Sequence, residues 1–535
     1  MRISLVSLVF CFALSGAQGA ETPRLVVLVV VDQLHPELLA RHAKRFDEDG
    51  GFNRFLDNGL RYREAYVDHF LTLTGPGHAS ISTGATPSQH GIVGNYWYDE
   101  AAQAMTSSVS DGDYRTLGST DPASGVSPKK LRARTFADQL YLSTGGKGKT
   151  LTFSAKDRGA VLIAGEKGKA LWYSTETGRF VSSSYYFEAL PTWVKKFNQK
   201  NNADTFDNVW TLMHEPRRYR IRDFRNSERP YDPLGREFPH NLGNKGSEAY
   251  YRNFKRIPYV DELTLKLALA GVEAQQLGKD KTVDLLSVSL SATDYVGHDF
   301  GPLSRESEDN LYRLDRSLAH FMDRLEKQVS SKHILYVLTA DHGVDASPEH
   351  RHALGLTGHR LDVPVLTTAL NLHLKTRFGG EQDIVKAAVH TGVYFDPEAI
   401  EGISSETLFE ETKNWLMARP GIEHALILPY EKIPDAFFNE LLRKQIYPPR
   451  IGQIFIVPAY GTFFGYPANA ATHGTPYQYD RHIPMMFLTP KRKRREIWTP
   501  VSQRSIAPTL SAILGVTKPS GATAAPLSRV VKEYQ

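Results

Sequence analysis

The sequence predicts an α/β fold: a sandwich with a mostly parallel central sheet, helices on both faces and inserted regions. Three observations lead there. Short apolar runs rich in β-branched residues recur far apart in the chain, as in strands buried on both faces of a parallel sheet. Amphipathic stretches long enough to be helices lie between them. Three of the runs lead into an aspartate, at the carboxyl ends where open α/β sheets gather their ligands.

In chain order, the run LVVLVVV over Leu25–Val31 ends in Asp32 and is followed by helical spacing of Leu38, Leu39, His42 and Phe46. Residues 134–143 read as a short helix, and 149–154 as a strand running into Ala155-Lys156-Asp157-Arg158. Residues 165–255, rich in Tyr, Asn, Arg and Pro, have no clean period and read as an inserted region that covers the site. A helix over 260–277 precedes the strand DLLSVSL, Asp284–Leu290, whose exit carries Asp294. In 306–329, Leu311, Leu314, Leu318, Phe321, Met322 and Leu325 fall three or four apart, which predicts an amphipathic helix. The strand ILYVLT, Ile334–Thr339, then leads into Ala340-Asp341-His342-Gly343. Residues 365–472 are mixed α and β, with a helix over 405–418, and read as a second insertion. A strand at 483–488 and a helix at 505–514 close the pattern.

With 535 residues, 41% hydrophobic and 23% charged, the chain has the composition of an ordinary globular protein. Its net charge of +5 is dispersed, and the one dense basic run, 491–495, reads as a solvated loop, so no nucleic-acid partner is inferred. Residues 1–19 have the charged start, apolar run and small-residue end of a secretory signal peptide, with cleavage expected after Gly19 or Ala20. The single cysteine, Cys11, lies inside it and follows Phe10, where a lipoprotein site would want a small residue. The expected mature chain, 20–535, is therefore periplasmic or secreted and free of cysteine, with no membrane span. A metal site in it must be built from Asp, Glu and His.

The stretch Thr74-Gly75-Pro76-Gly77-His78 places Pro in the first turn of a short helix over 79–83 that Gly84 ends. Thr74, just ahead of it, would sit beside free backbone N–H groups that favour an anion or an alkoxide. Asp294 and His298 are spaced i, i+4, Asp341 and His342 are adjacent, and Asp32 and His473 stand apart. Converging that many carboxylates is costly without cations, and mixed carboxylate and imidazole donors suit zinc.

The ordered set Thr-x-Pro-x-His at 74–78, GIVGN at 91–95, Asp-x-x-x-His at 294–298, Asp-His-Gly at 341–343 and His-Gly-x-Pro at 473–476 resembles the alkaline phosphatase superfamily over nearly the whole mature chain. Within it, Lys156-Asp157-Arg158 is similar to the phosphate-irrepressible alkaline phosphatases, bacterial phosphomonoesterases with a threonine nucleophile. The resemblance implies two zinc ions, one held by Asp294, His298 and His473, the other by Asp32, Asp341, His342 and the oxygen of Thr74. It implies that Thr74 is the nucleophile and that Asn95, Lys156 and Arg158 grip nonbridging phosphoryl oxygens. The expected substrates are small phosphate monoesters, turned over by a catalytic domain spanning 20–535, with a monomer favoured. A sulfatase of the formylglycine kind is disfavoured, because Cys or Ser is absent at position 74 and Arg at 78. The alternatives are a phosphodiesterase or nucleotide pyrophosphatase on the same scaffold, and a noncatalytic protein stabilised by metal.

Overall fold

The computed structural model describes residues 22–121, 124–223, 226–429, 431–466 and 468–534. The signal peptide read in 1–19, with Cys11, lies outside these residues. Leu25–Val31 forms the centre of the sheet and is buried at every position. Each Val or Leu so buried contributes about 1.5–3 kcal/mol relative to an exposed one, which is what a strand without a polar face gains from its place between neighbours. It pairs in parallel with Asp284–Leu290 on one side and Ile334–Thr339 on the other, Val31 opposite Leu290 and Val30 opposite Thr339. Thr150–Ser154 continues the parallel set, with Ser154 opposite Ser289. These level registers bring the chain out of four strands at one edge, and Asp32, Lys156, Asp294 and Asp341 all follow within a few residues.

The sheet of 11 described strands is mixed at its flanks. His482–Leu488 runs antiparallel to both Ile334–Thr339 and Leu60–Tyr66, and Arg179–Ser183 runs antiparallel to Lys169–Ser174. Flanking helices cover the sheet. Arg305–Gln328 buries the expected leucine-rich stripe and packs on Gly51–Asn58 and Tyr259–Gln275, while Thr74–Thr83 packs on Asp157–Ala164.

Part of the 165–255 region extends the central sheet through Lys169–Ser174 and Arg179–Ser183, and its Trp210, Tyr250 and Phe254 join the main core. The 365–472 region holds a separate four-stranded antiparallel sheet, Val385–Val389, Gly392–Phe395, Ile454–Pro458 and Ile422–Ile427, with its own core around Leu370, Leu374, Leu408 and Ile454.

Asp261, inside Tyr259–Gln275, accepts hydrogen bonds from the Ser291 N–H at 2.8 Å and the Ala292 N–H at 3.2 Å, and so holds the start of Ala292–Phe300, the helix carrying Asp294 and His298. Burial pushes its carboxyl up to about 7, against these donors and the charge of Lys156. The folded state therefore keeps a proton that the unfolded chain releases, and stability is lost as pH rises from the ordinary 3.8 to about 7. Asp261→Asn removes this titration. Its melting temperature relative to wild type should climb between about pH 4 and about pH 7; a difference independent of pH would remove the buried carboxyl as its source.

Candidate active site

The nucleophile candidate sits on a helix that is fixed from several sides. The helix runs Thr74–Thr83, with Leu73 as its N-cap and Gly84 closing it at φ 65°, so Thr74 is its first residue rather than a residue ahead of it. The free N–H groups expected beside Thr74 are largely engaged. The Gly75 N–H donates to Asn95 Oδ1 at 2.7 Å, Pro76 has none, and the Gly77 N–H donates to the Leu73 carbonyl at 2.9 Å. What stands near the Thr74 hydroxyl is an ammonium, Lys156 Nζ, 3.4 Å from Oγ1. Because Asn95 Oδ1 is spent on Gly75, its amide is oriented and Nδ2 remains a donor. Gly77 is required by close approach, since a Cβ there would meet the Asp341 carbonyl oxygen at 2.5 Å. His78 joins this helix to the sheet: Nδ1 lies 2.9 Å from the Thr74 carbonyl and 3.3 Å from Asp341 Oδ2, and Nε2 lies 2.8 Å from Ser289 Oγ.

Asp32, Asp294 and Asp341 converge as the sequence suggests, and all are buried. Lys156 Nζ lies between Asp32 Oδ2 and Asp294 Oδ2, 2.6 Å from each. Burial would lower the lysine, but the two carboxylates outweigh it and hold the ammonium charged. Asp32, crowded by Asp341 as well as buried, is pushed well above the usual carboxylate range. Gln33, at φ 67°, ties two acids together, its N–H donating to Asp341 Oδ1 at 3.2 Å and its Nε2 to Asp294 Oδ1 at 2.8 Å.

Three imidazoles face this cluster in one tautomer. The Nδ1 atoms of His298, His342 and His473 lie 2.8, 3.0 and 2.7 Å from the carbonyls of Ala471, Gly343 and Thr72. A carbonyl only accepts, so each Nδ1 carries the proton, and in the neutral ring Nε2 presents a lone pair. Burial holds His342 down to about 3 and lowers His473. Yet the Nε2 atoms of His298 and His473 lie 3.3 and 3.4 Å from Asp294 Oδ1, and that of His342 3.4 Å from Asp32 Oδ1. Lone pairs facing carboxylate oxygens at this range call for a cation between them. Asp32 Oδ1, Asp341 Oδ2 and His342 Nε2 are also buried without a hydrogen-bond partner. Among the described residues two donor groups of this kind form, Asp294 with His298 and His473, and Asp32 with Asp294 and His342, each with its donor atoms within 4.8 Å of one another. This donor set fits divalent metal.

Arg158 stands in the first turn of the helix Asp157–Ala164, which Lys156 caps. Its Nε is buried without a partner, and its ion pair with adjacent Asp157 is long, at 3.8 Å. The 365–472 region reaches the site through His390, whose Nε2 accepts from the Asn95 N–H at 3.3 Å.

A model of the type I phosphodiesterase / nucleotide pyrophosphatase family matches residues 26–478. The chain is 34% identical to alkaline phosphatase PafA of Elizabethkingia meningoseptica over 97% of each chain. The chain belongs to the alkaline phosphatase superfamily. Alkaline phosphatase PhoV of Synechococcus elongatus is 32% identical over 96% of this chain and 94% of its own. The crystal structure of wild-type PafA superposes with a TM-score of 0.88 at 33% identity, covering 95% of this chain and 99% of that one. Members of this superfamily are metal-dependent, in keeping with the donor groups above. No described helix is long and apolar enough to cross a membrane.

Gln33 and His390 escaped the sequence reading, and His78 was seen only as part of a motif. Gln33 follows a recognised Asp32, but nothing in a glutamine signals positive φ. His390 lies about 300 residues from Asn95, in a region without a motif.

Two outcomes follow. Zinc added to chelator-treated protein should raise its melting temperature by several degrees, since ligands that bind only the folded state stabilise it; no rise would count against a metal between these donors. Gly77→Ala should cost about 1–3 kcal/mol by overpacking against Asp341 and weaken zinc binding, whereas Gly84→Ala should affect stability alone.

Proposed function

We propose that this chain is an exported, zinc-dependent alkaline phosphatase that hydrolyses small phosphate monoesters through a phosphothreonine intermediate on Thr74. The observation that carries the reading is the ammonium beside the candidate nucleophile. Lys156 Nζ lies 3.4 Å from Thr74 Oγ1, and Arg158, two residues on, has a buried Nε without a partner. A monoester dianion has three nonbridging oxygens to share among such donors, whereas a diester carries a substituent where one of them would be.

Asp294, His298 and His473 would hold one zinc ion, and Asp32, Asp341, His342 and Thr74 the other. Bound zinc supplies Lewis-acid charge that neutralises the carboxylates and favours ionised hydroxyl groups. Thr74 Oγ1, its proton given up to solvent, attacks phosphorus as the bond to the departing alcohol oxygen breaks, and that oxygen takes up a proton from water. Lys156, Arg158 and the Asn95 amide hold the nonbridging oxygens, where transition-state charge is spread. Water then cleaves the phosphothreonine and returns the Thr74 hydroxyl. His78 and Gln33 keep the nucleophile helix and the acids in register. Export follows from the reading of residues 1–19.

Diester cleavage is the competing reading, favoured by the description of the matching family. The two separate on Arg158→Ala. Monoester kcat/KM should fall about 10- to 100-fold, the worth of hydrogen bonds to a charged group, with a much smaller loss on the matching diester. Equal losses, or a wild-type preference for the diester, would overturn the monoesterase assignment. Thr74→Ala should abolish turnover and retain most of the zinc; substantial residual turnover would remove Thr74 as nucleophile.

A further inference from the structure

The departing alcohol has as yet no place in the fold. A cavity of about 290 Å³ opens directly on the site. Its inner side is formed by Asn95, His298 and His473, its outer side by Tyr96, Met105, Phe464 and Tyr466. Thr74 is buried and not part of the lining, but its neighbour Leu73 lines it, as does Asn95, which holds the Gly75 N–H. In-line transfer puts the entering and leaving oxygens on opposite sides of phosphorus, so attack from the buried Thr74 sends the leaving oxygen outward, into this space.

The lining has a definite chemical character. None of its described residues is Lys, Arg, Asp or Glu. His390, also in the wall, is held down to about 4 by burial, with His473 and Arg158 adding to the effect, and is uncharged at neutral and alkaline pH. The outer residues keep apolar surface available: Tyr96, Met105 and Tyr466 are 46%, 49% and 56% exposed. A neighbouring groove shares Tyr466, but its lysines are already committed, Lys375 to Asp383 at 2.6 Å and Lys386 to Asp396 at 2.7 Å. An anionic substituent at the outer end of a leaving group would lose water and meet no lysine or arginine of the lining, whereas an aromatic ring finds tyrosine, phenylalanine and methionine. The volume sits at the small end of ligand pockets, about 300–1,000 Å³, room for one compact ring system.

We infer that this cavity is the leaving-group site and that it selects monoesters of uncharged aromatic alcohols over those whose alcohol carries a further negative charge, an inference that rests on the monoesterase reading above. The inserted 365–472 region then sets specificity, since it supplies Phe464, Tyr466 and His390. His390 also links this wall to the phosphoryl end. Besides accepting from the Asn95 N–H, it packs so closely on Gly94 that a Cβ there would meet its Cδ2 at 2.8 Å.

The test compares kcat/KM for 2-naphthyl phosphate, its 6-sulfonated analogue and methyl phosphate on the zinc-loaded protein. Wild type should favour the unsulfonated naphthyl ester about tenfold or more, the scale on which an apolar pocket discriminates. In Tyr466→Ala the naphthyl-to-methyl ratio should fall about tenfold, and Tyr466→Lys should shift preference toward the sulfonated ester. Tyr466 is largely exposed, so these variants fold; a merely structural defect would lower all esters together and leave the ratios unchanged. Unchanged ratios in both variants, or a wild type that turns over the sulfonated ester as well as its parent, overturn the inference. The ratios are read on whichever ester class the wild type hydrolyses. Should diesters prove preferred, the corresponding methyl diesters take their place, and the cavity is tested independently of the monoesterase reading.

Discussion

Three buried carboxylates within reach of one another are the constraint around which this molecule is arranged. Asp32, Asp294 and Asp341 have little water to share their charge, and a single lysine to answer it. Such a cluster is unfavourable unless further positive charge enters and every donor around it is held in place. The parallel registers at the centre of the sheet create the difficulty by ending four strands at one edge. The same registers solve part of it, because they deliver Lys156 beside the acids.

The rest of the solution lies in the groups that surround the acids. Three backbone carbonyls fix the histidine tautomers, so that each ring turns its lone pair inward. Gln33 spans two acids, His78 clamps the Thr74–Thr83 helix to a strand, and Gly77 lets that helix lie against the Asp341 backbone. Preorganisation of this kind is paid for during folding, so that charge can be received during reaction without rearrangement.

Much of this was legible in the sequence, and the parts that were not have physical reasons. Leu25–Val31, Asp284–Leu290 and Ile334–Thr339 stood out because strands buried on both faces admit only apolar side chains. The amphipathic period gave Arg305–Gln328 to within a residue at each end. Strand direction was not readable: the apolar run in His482–Leu488 would look the same parallel or antiparallel. The N–H groups expected to be free near Thr74 are consumed by Asn95 and by the helix itself, which depends on contacts between loops that no local pattern reveals. The placement of Lys156 between two acids likewise follows from the register of strands more than a hundred residues apart. The irregular composition of 165–255 concealed strands of the central sheet, and none of its described residues lines the cavity, which the later region walls instead.

The hydrogen bond from His473 to the Thr72 carbonyl closes a span of 401 residues. Loops of that length form late, because their closure entropy must be met before any contact rewards it. The donor set is therefore incomplete on a nascent chain until nearly all of it has emerged. A polypeptide that ends before His473 has a threonine and several acids but no assembled centre.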